Sequence, residues 1–208
     1  MLLLVTGSSC SGKSTAAAAI RTAVEGVAIH DSDEHGVPSD ADTAWRQGDL
    51  RRWVRLAIAL EAEDTDLLLT GQSPIGELLA IPEASRLELA VCLIDVQDRI
   101  RSDRLEQRDP GRWPAEAKEA FNNWARWHRC HAEDPSYQPE VITEGSAPDM
   151  RWDRWRSWHR WDPRWSVTTI DASEGGVSET ASALRTWVQQ SRDRRADRNL
   201  PLGQGWCR

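Results

Sequence analysis

Gly7-Ser8-Ser9-Cys10-Ser11-Gly12-Lys13-Ser14-Thr15 decides the fold. The stretch satisfies G-x-x-x-x-G-K-[ST] at every fixed position, and its flanks are the ones the motif needs. Before it, Leu2-Leu3-Leu4-Val5-Thr6 is a near-continuous apolar run, as expected of a strand buried on both faces of a parallel sheet. After it, Ala16-Ala17-Ala18-Ala19-Ile20-Arg21 are strong helix formers. A glycine loop between a strand and a helix makes an anion cradle: loop N–H groups turn inward, and the helix end adds partial positive charge. Gly7 through Thr15 are therefore expected to wrap a nucleotide's phosphates, with Lys13 reaching the β and γ groups and Ser14 offering its hydroxyl to Mg²⁺.

Working outward, Gly26-Val27-Ala28-Ile29-His30 reads as a second buried strand whose carboxyl end carries Asp31-Ser32-Asp33-Glu34. In open α/β sheets ligands gather beyond the carboxyl ends of strands, so both aspartates should face the crevice of the loop. Asp31 suits a metal or its bound water, and Asp33 suits the proton of an attacking hydroxyl. An ordinary polar turn is the plain alternative. His30 reads as a packing residue. Asp66-Leu67-Leu68-Leu69-Thr70 is a third strand, ending in Gly71-Gln72 where many P-loop NTPases carry an aspartate. The metal role then passes to Asp31, while Gly71 and Gln72 approach the same crevice and the acceptor. Leu89 to Asp95 is a fourth strand with Cys92 in its core, and Ser166 to Ile170 a fifth, followed by Asp171-Ala172-Ser173.

The connections carry arginines. Ser39 to Ala62 has helical spacing, interrupted near Gly48, and holds Arg46, Arg51, Arg52 and Arg55. Arg46 and Arg52 are candidates to hold an anionic acceptor group, against the alternative of a solvated helix face. Arg101, Arg104 and Arg108 lie three and four residues apart, so a helix stacks them on one face until Pro110-Gly111. Turned toward a nucleotide, that face would neutralise charge as a phosphoryl group moves; pairing with Asp103 and Glu106 is the alternative. Pro114 to His131 reads as one helix with Ala120, Phe121, Trp124, Trp127 and His128 on one side. His128, Cys130 and His131 lack the spacing of a zinc site. Trp152, Trp155, Trp158 and Trp161, with Trp165 beyond, cannot share one helix face at a spacing of three. Interleaved arginines leave two readings: a single-strand platform, or packing on the sheet. Arg192 to Arg208 is expected to fray as a polar tail.

Composition narrows the class. The 26 Lys+Arg against 33 Asp+Glu give a net charge of −7, which argues against a dedicated duplex-DNA binder. Lysine occurs only at Lys13 and Lys118, and the 12 tryptophans carry little functional weight. Four scattered cysteines support neither a zinc knuckle nor a disulfide framework, and fit a reducing, cytoplasmic setting. No apolar run approaches a membrane span, and no targeting segment is expected ahead of the first strand, since Met1–Val5 has neither a basic n-region nor a cleavage site.

With five strands, a P-loop after the first, Asp-x-Asp after the second and an arginine helix after the fourth, the chain resembles the P-loop small-molecule kinases. These are the nucleoside-monophosphate, shikimate and gluconate kinase group, which includes chloramphenicol phosphotransferase, and the resemblance spans about residues 1–190. It implies a three-layer α/β fold with sheet order 2-3-1-4-5, acceptor-binding helices over about 35–65, and a mobile helical lid over about 101–131. It also implies that Asp33 is the acceptor-hydroxyl base, Asp31 the metal-side acid, Arg104 and Arg108 lid arginines, and Asp171 to Ser173 the adenine-side loop. ATP and Mg²⁺ are the implied cofactors, a small hydroxyl compound the partner, and transfer of the γ-phosphoryl group the activity. The third strand lacks the double-glycine acceptor loop of shikimate kinases. Two other classes remain: a nucleotide-dependent switch, weakened by the absence of Asn-Lys-x-Asp, and a polynucleotide 5′-end kinase using the Trp/Arg segment.

Overall fold

The computed structural model describes residues 1–207, ordered as β1 (Leu2–Thr6), α1 (Lys13–Ile20), β2 (Val27–Asp31), α2 (Thr43–Glu61), β3 (Asp66–Thr70), α3 (Ile75–Ala80), β4 (Leu89–Asp95), α4 (Asp98–Arg108), α5 (Ala115–Glu133), α6 (Glu140–Thr143), β5 (Val167–Asp171) and α7 (Val177–Ala196). The five strands are parallel in the order β2-β3-β1-β4-β5. This is the three-layer α/β arrangement and strand order that the resemblance to P-loop kinases implies.

The apolar runs serve two cores at once. Along β1, Leu2 and Leu4 face one core while Leu3 and Val5 face the other, the period-two alternation of a strand covered on both sides. β3 divides likewise, Leu67 and Leu69 against Leu68. One core receives Leu50, Trp53 and Val54 of α2, Leu78 of α3 and Trp127 of α5; the other receives Ala16 and Ile20 of α1 and Leu184 and Trp187 of α7. Each fully buried Leu contributes about 1.5–3 kcal/mol, so β1, with Leu2, Leu3 and Leu4 fully buried, is firmly anchored and holds the loop that follows it. The edge strands β2 and β5 are only partly buried, a departure from the second buried strand expected at residues 26–30.

Two sequence expectations change, and of the two readings of the tryptophan segment, packing on the sheet is the one observed. α2 runs unbroken through Gly48, which faces open solvent; a mid-helix glycine costs about 1 kcal/mol, and burial of Leu50, Trp53, Val54 and Ala57 outweighs it. The expected fraying tail is docked: Leu202 bridges Leu89, the Trp206 indole donates to Leu87 O at 3.1 Å, and Arg195 reaches Glu61, Asp66 and Glu88. Arg208 lies outside the described residues. The tryptophan segment is a buried packing device. Trp155, Trp158 and Trp165 belong to the first core, and only Trp161 stands out, at 83% exposure. Trp155 comes so close that a Cβ on Gly76 would lie 3.0 Å from its ring, and its indole donates to Gly76 O at 2.9 Å. The neighbouring arginines are engaged locally, Arg154 with three carbonyls and Arg164 with Asp162, so no row of free rings and cations remains for a strand. Among the described residues, no helix is long and apolar enough to cross a membrane, and the four cysteines are unpaired.

Candidate active site

β1 ends at the sheet's centre and hands the chain to the phosphate loop. Gly7 has φ +147°, and a Cβ there would sit 2.3 Å from Ile94 O on β4, so only glycine lets the loop leave the strand at this angle. Gly12, at φ +100°, caps α1. Inside the loop the Ser11 hydroxyl is buried with no hydrogen-bond partner among the described residues, the condition expected of a group that binds an anionic ligand. Lys13 is buried, with Nζ 3.3 Å from Ser8 O. Burial pushes its ammonium from 10.5 down to about 8, while Asp31 and Asp33 pull against that shift.

Asp31 is fixed by neighbours on two elements. β2 and β3 pair Asp31 with Thr70, so the Thr70 hydroxyl donates to Asp31 Oδ2 at 2.6 Å, and Ser14 donates to the same oxygen at 2.5 Å. Asp31 Oδ1 accepts the Asp33 N–H at 3.0 Å, and Glu34 closes a capping box on the Asp31 N–H. Half-burial would raise the Asp31 carboxyl, but the hydrogen bonds from Ser14, Thr70 and the Asp33 amide outweigh it and hold the group below the usual carboxylate range. An ionised carboxylate beside the loop hydroxyl is a donor set that fits Mg²⁺. Thr70 thus stands where a strand-three aspartate was missing, and it orients the aspartate of the next strand.

Two cavities open over the sheet's carboxyl edge. The first, about 410 Å³, is lined by Ser9 to Ala16, Arg104, Arg108, Ala172, Gly176, Val177 and Thr180. The second, about 370 Å³, is lined by Trp45, Arg46, Leu50, Phe121, Trp124 and Gly71 among others. Asp33 and Gln72 belong to both walls. They form the boundary at which a group in one cavity meets a group in the other.

The three helix arginines separate in role. Arg101 is fully buried and donates to Asp95 Oδ1, Val96 O and Ser9 O, bracing the loop from beneath rather than facing the cavity. Arg104 spans the cavity edge from Cys10 O and Ser11 O to Ala172 O, and Arg108 lines it, held by Asp109. Asp171 and Ser173 do not line the first cavity. Asp171 accepts the Ser173 N–H, and Ser173 Oγ accepts the Gln97 N–H, so the pair staples the loop that presents Ala172. The other side of the P-loop is held by α5, whose Phe121 O accepts from Ser8 Oγ at 2.9 Å.

Arg46 lines the second cavity, but its Nε and Nη2 are taken by the fully buried Glu77 carboxylate, and its guanidinium lies 5.2 Å over Trp124. Arg52 lies apart from both cavities: its side chain is 60% exposed, it pairs with Asp49, and on α2 it faces solvent beside buried Trp53. The sequence reading missed Glu77, Trp45 and Asp42, and gave Phe121 and Trp124 only a packing side. Their positions follow from how α2 and α5 cross the sheet edge, for which spacing offers no signal. His128 lies beneath the site with Nε2 3.2 Å from Thr6 Oγ1; burial drives its imidazole down to about 3, so it is neutral. Among the described residues, no group of three His, Cys, Asp or Glu side chains could hold a metal ion by itself.

No family model and no curated protein matches the chain. Among solved structures, an unliganded sugar kinase from Janibacter sp. HTCC2649 superposes with a TM-score of 0.56 at 15% identity, over 90% of this chain and 94% of that one. Shikimate kinase from Acinetobacter baumannii in complex with shikimate gives 0.52 at 12% identity, over 91% and 93%. At these identities the likeness is one of architecture, and the chain has the three-layer α/β P-loop fold of these kinases.

Proposed function

We propose that the chain is an ATP-dependent phosphotransferase that moves the γ-phosphoryl group to a hydroxyl of a small molecule. The observation that carries this reading is the shared boundary of the two cavities: a carboxylate, Asp33, stands where a donor beside Lys13 and an acceptor beside Trp124 would meet. A hydrolytic switch has no use for a second, largely apolar cavity opening onto the same carboxylate.

In this mechanism the loop amides, the free Ser11 hydroxyl and Lys13 hold the β- and γ-phosphates. Ser14 and Asp31 are the residues that would hold Mg²⁺, which supplies neutralisation of charge on the same phosphates. Asp33 accepts the acceptor's hydroxyl proton as the oxygen forms its bond to the γ-phosphorus. The bond to the β–γ bridging oxygen breaks, and ADP leaves with that electron pair. Arg104 and Arg108 face the developing charge, and α4 and α5 act as the lid that excludes water. Most of the acceleration comes from positioning, so the base contributes a separable part.

Kinetics of Asp33→Asn test the assignment. Turnover is expected to fall by about 10²–10⁴-fold while ATP affinity stays within about threefold of wild type. Full turnover in this variant removes Asp33 as the base, and an equal loss in ATP affinity recasts it as a donor-side residue.

A further inference from the structure

The charges of the second cavity restrict the class of acceptor, an inference that rests on the phosphotransferase reading. Among the described residues lining it, Arg46 is the sole cation, and the Glu77 carboxylate already satisfies that charge with contacts of 2.6–3.2 Å. The other charged lining groups are acids. Asp49 is paired outward with Arg52, which leaves Asp33 and Asp42 facing the cavity without an ion-pair partner. Asp42 uses Oδ1 to cap α2 through the Trp45 N–H, at 2.7 Å. The remaining walls are apolar or aromatic, chiefly Trp45, Leu50, Phe121 and Trp124.

A carboxylate or phosphate entering this space would lose hydration, meet two acids, and find no unpaired cation in return. It would also lie beside the transferring phosphoryl group. A neutral acceptor avoids all three costs, and a protonated amine gains from Asp42. We infer that the acceptor is a hydroxyl compound with an apolar or aromatic face and no anionic group, either uncharged or bearing an amine. The expectation that Arg46 and Arg52 hold an anionic acceptor group is thereby reversed: one arginine is neutralised from behind, and the other points away.

Calorimetric titration of the full chain with Mg²⁺ and a non-hydrolysable ATP analogue tests this on matched ligands. 3-Phenylpropane-1,2-diol, phenylalaninol and 3-phenyllactate share a phenyl-bearing hydroxyl skeleton and differ in charge; cytidine and cytidine 5′-monophosphate form a second set. The diol, phenylalaninol and cytidine are expected to bind at least about tenfold tighter than their anionic counterparts, equivalent to about 1.4 kcal/mol. Equal or tighter binding of phenyllactate or cytidine 5′-monophosphate overturns the inference, and so does a failure of every member to bind. Asp42→Asn keeps a capping side chain and is expected to weaken phenylalaninol about threefold more than the diol. An unchanged ratio removes the amine from the proposed class. Phosphoryl transfer, followed separately on the same ligands, distinguishes the two failures. Binding in the expected charge order without transfer sinks the phosphotransferase reading, whereas transfer that favours the anions sinks only the charge inference.

Discussion

The two cavities that meet at Asp33 are built on opposite principles. The donor cavity takes half its wall from eight consecutive residues, Ser9 to Ala16, and its shape is set by backbone torsions and helix polarity. The acceptor cavity takes its wall in scattered pieces of one to three residues from β1, the segment after β2, α2, the end of β3 and α5. A backbone cradle works or fails as a unit, because its donors are main-chain N–H groups fixed by glycine conformations. A side-chain cavity can change volume or charge at one position while the rest stays in place. On the phosphotransferase reading, the difference teaches that the donor can be held constant while the acceptor varies.

Substitutions should divide along the same line. The largest effect is expected from Gly7→Val, whose Cβ has no room beside Ile94 O. Nucleotide binding should be lost and stability should fall by about 2–4 kcal/mol, measured by calorimetry and thermal melts. Near-normal binding in this variant would break the claim that the backbone sets the donor site.

Lys13→Met should lower transfer by about 10²–10³-fold and yet stabilise the fold at pH 7, by at most about 3 kcal/mol. The sign follows from the lowered value of about 8 against 10.5 for an unperturbed lysine. Below pH 8 both folded and unfolded states are protonated, so the full burial penalty is present; it fades as pH rises toward 10.5. Melts of wild type and variant should therefore converge at alkaline pH, and ATP affinity of the wild type should drop about tenfold by pH 9. Convergence at acid pH instead would contradict the assignment.

On the acceptor side, Trp124→Ala should raise the acceptor KM about tenfold with ATP affinity within about twofold of wild type. A matching loss of ATP affinity would blur the division between the cavities. Arg52→Ala should change stability by less than about 0.5 kcal/mol and leave both kinetic constants in place. A clear rise in acceptor KM for this variant would return Arg52 to the site.

Legibility in the sequence followed the same division. The P-loop, the strand after it and the Asp31/Asp33 pair are contiguous signals whose residue types are dictated by backbone geometry or by position at a strand end. They could be read in order along the chain. Thr70 could be read only as a missing aspartate, since its hydroxyl acquires a role through register with Asp31. Arg101 and Arg104 share a helix face, but their roles diverge because Asp95 at the end of β4 captures one of them, a long-range contact with no spacing signature. Glu77, 31 residues from Arg46, decides the charge of the acceptor cavity from full burial. The docked tail reads as loose in the sequence because its anchors, Leu202 and Trp206, are single residues in a polar setting, and burial of one indole is invisible to composition.

The most direct test of the central claim, that donor and acceptor meet at Asp33, follows the label of ATP marked at its γ-phosphate. Purified protein, Mg²⁺ and a panel of uncharged and amine-bearing hydroxyl compounds would be used, with Lys13→Met as control. Label should pass to the hydroxyl acceptor in the wild type and about 10²–10³-fold more slowly in the variant. Label that appears only as inorganic phosphate, or reaches the acceptor equally well in Lys13→Met, would contradict the account.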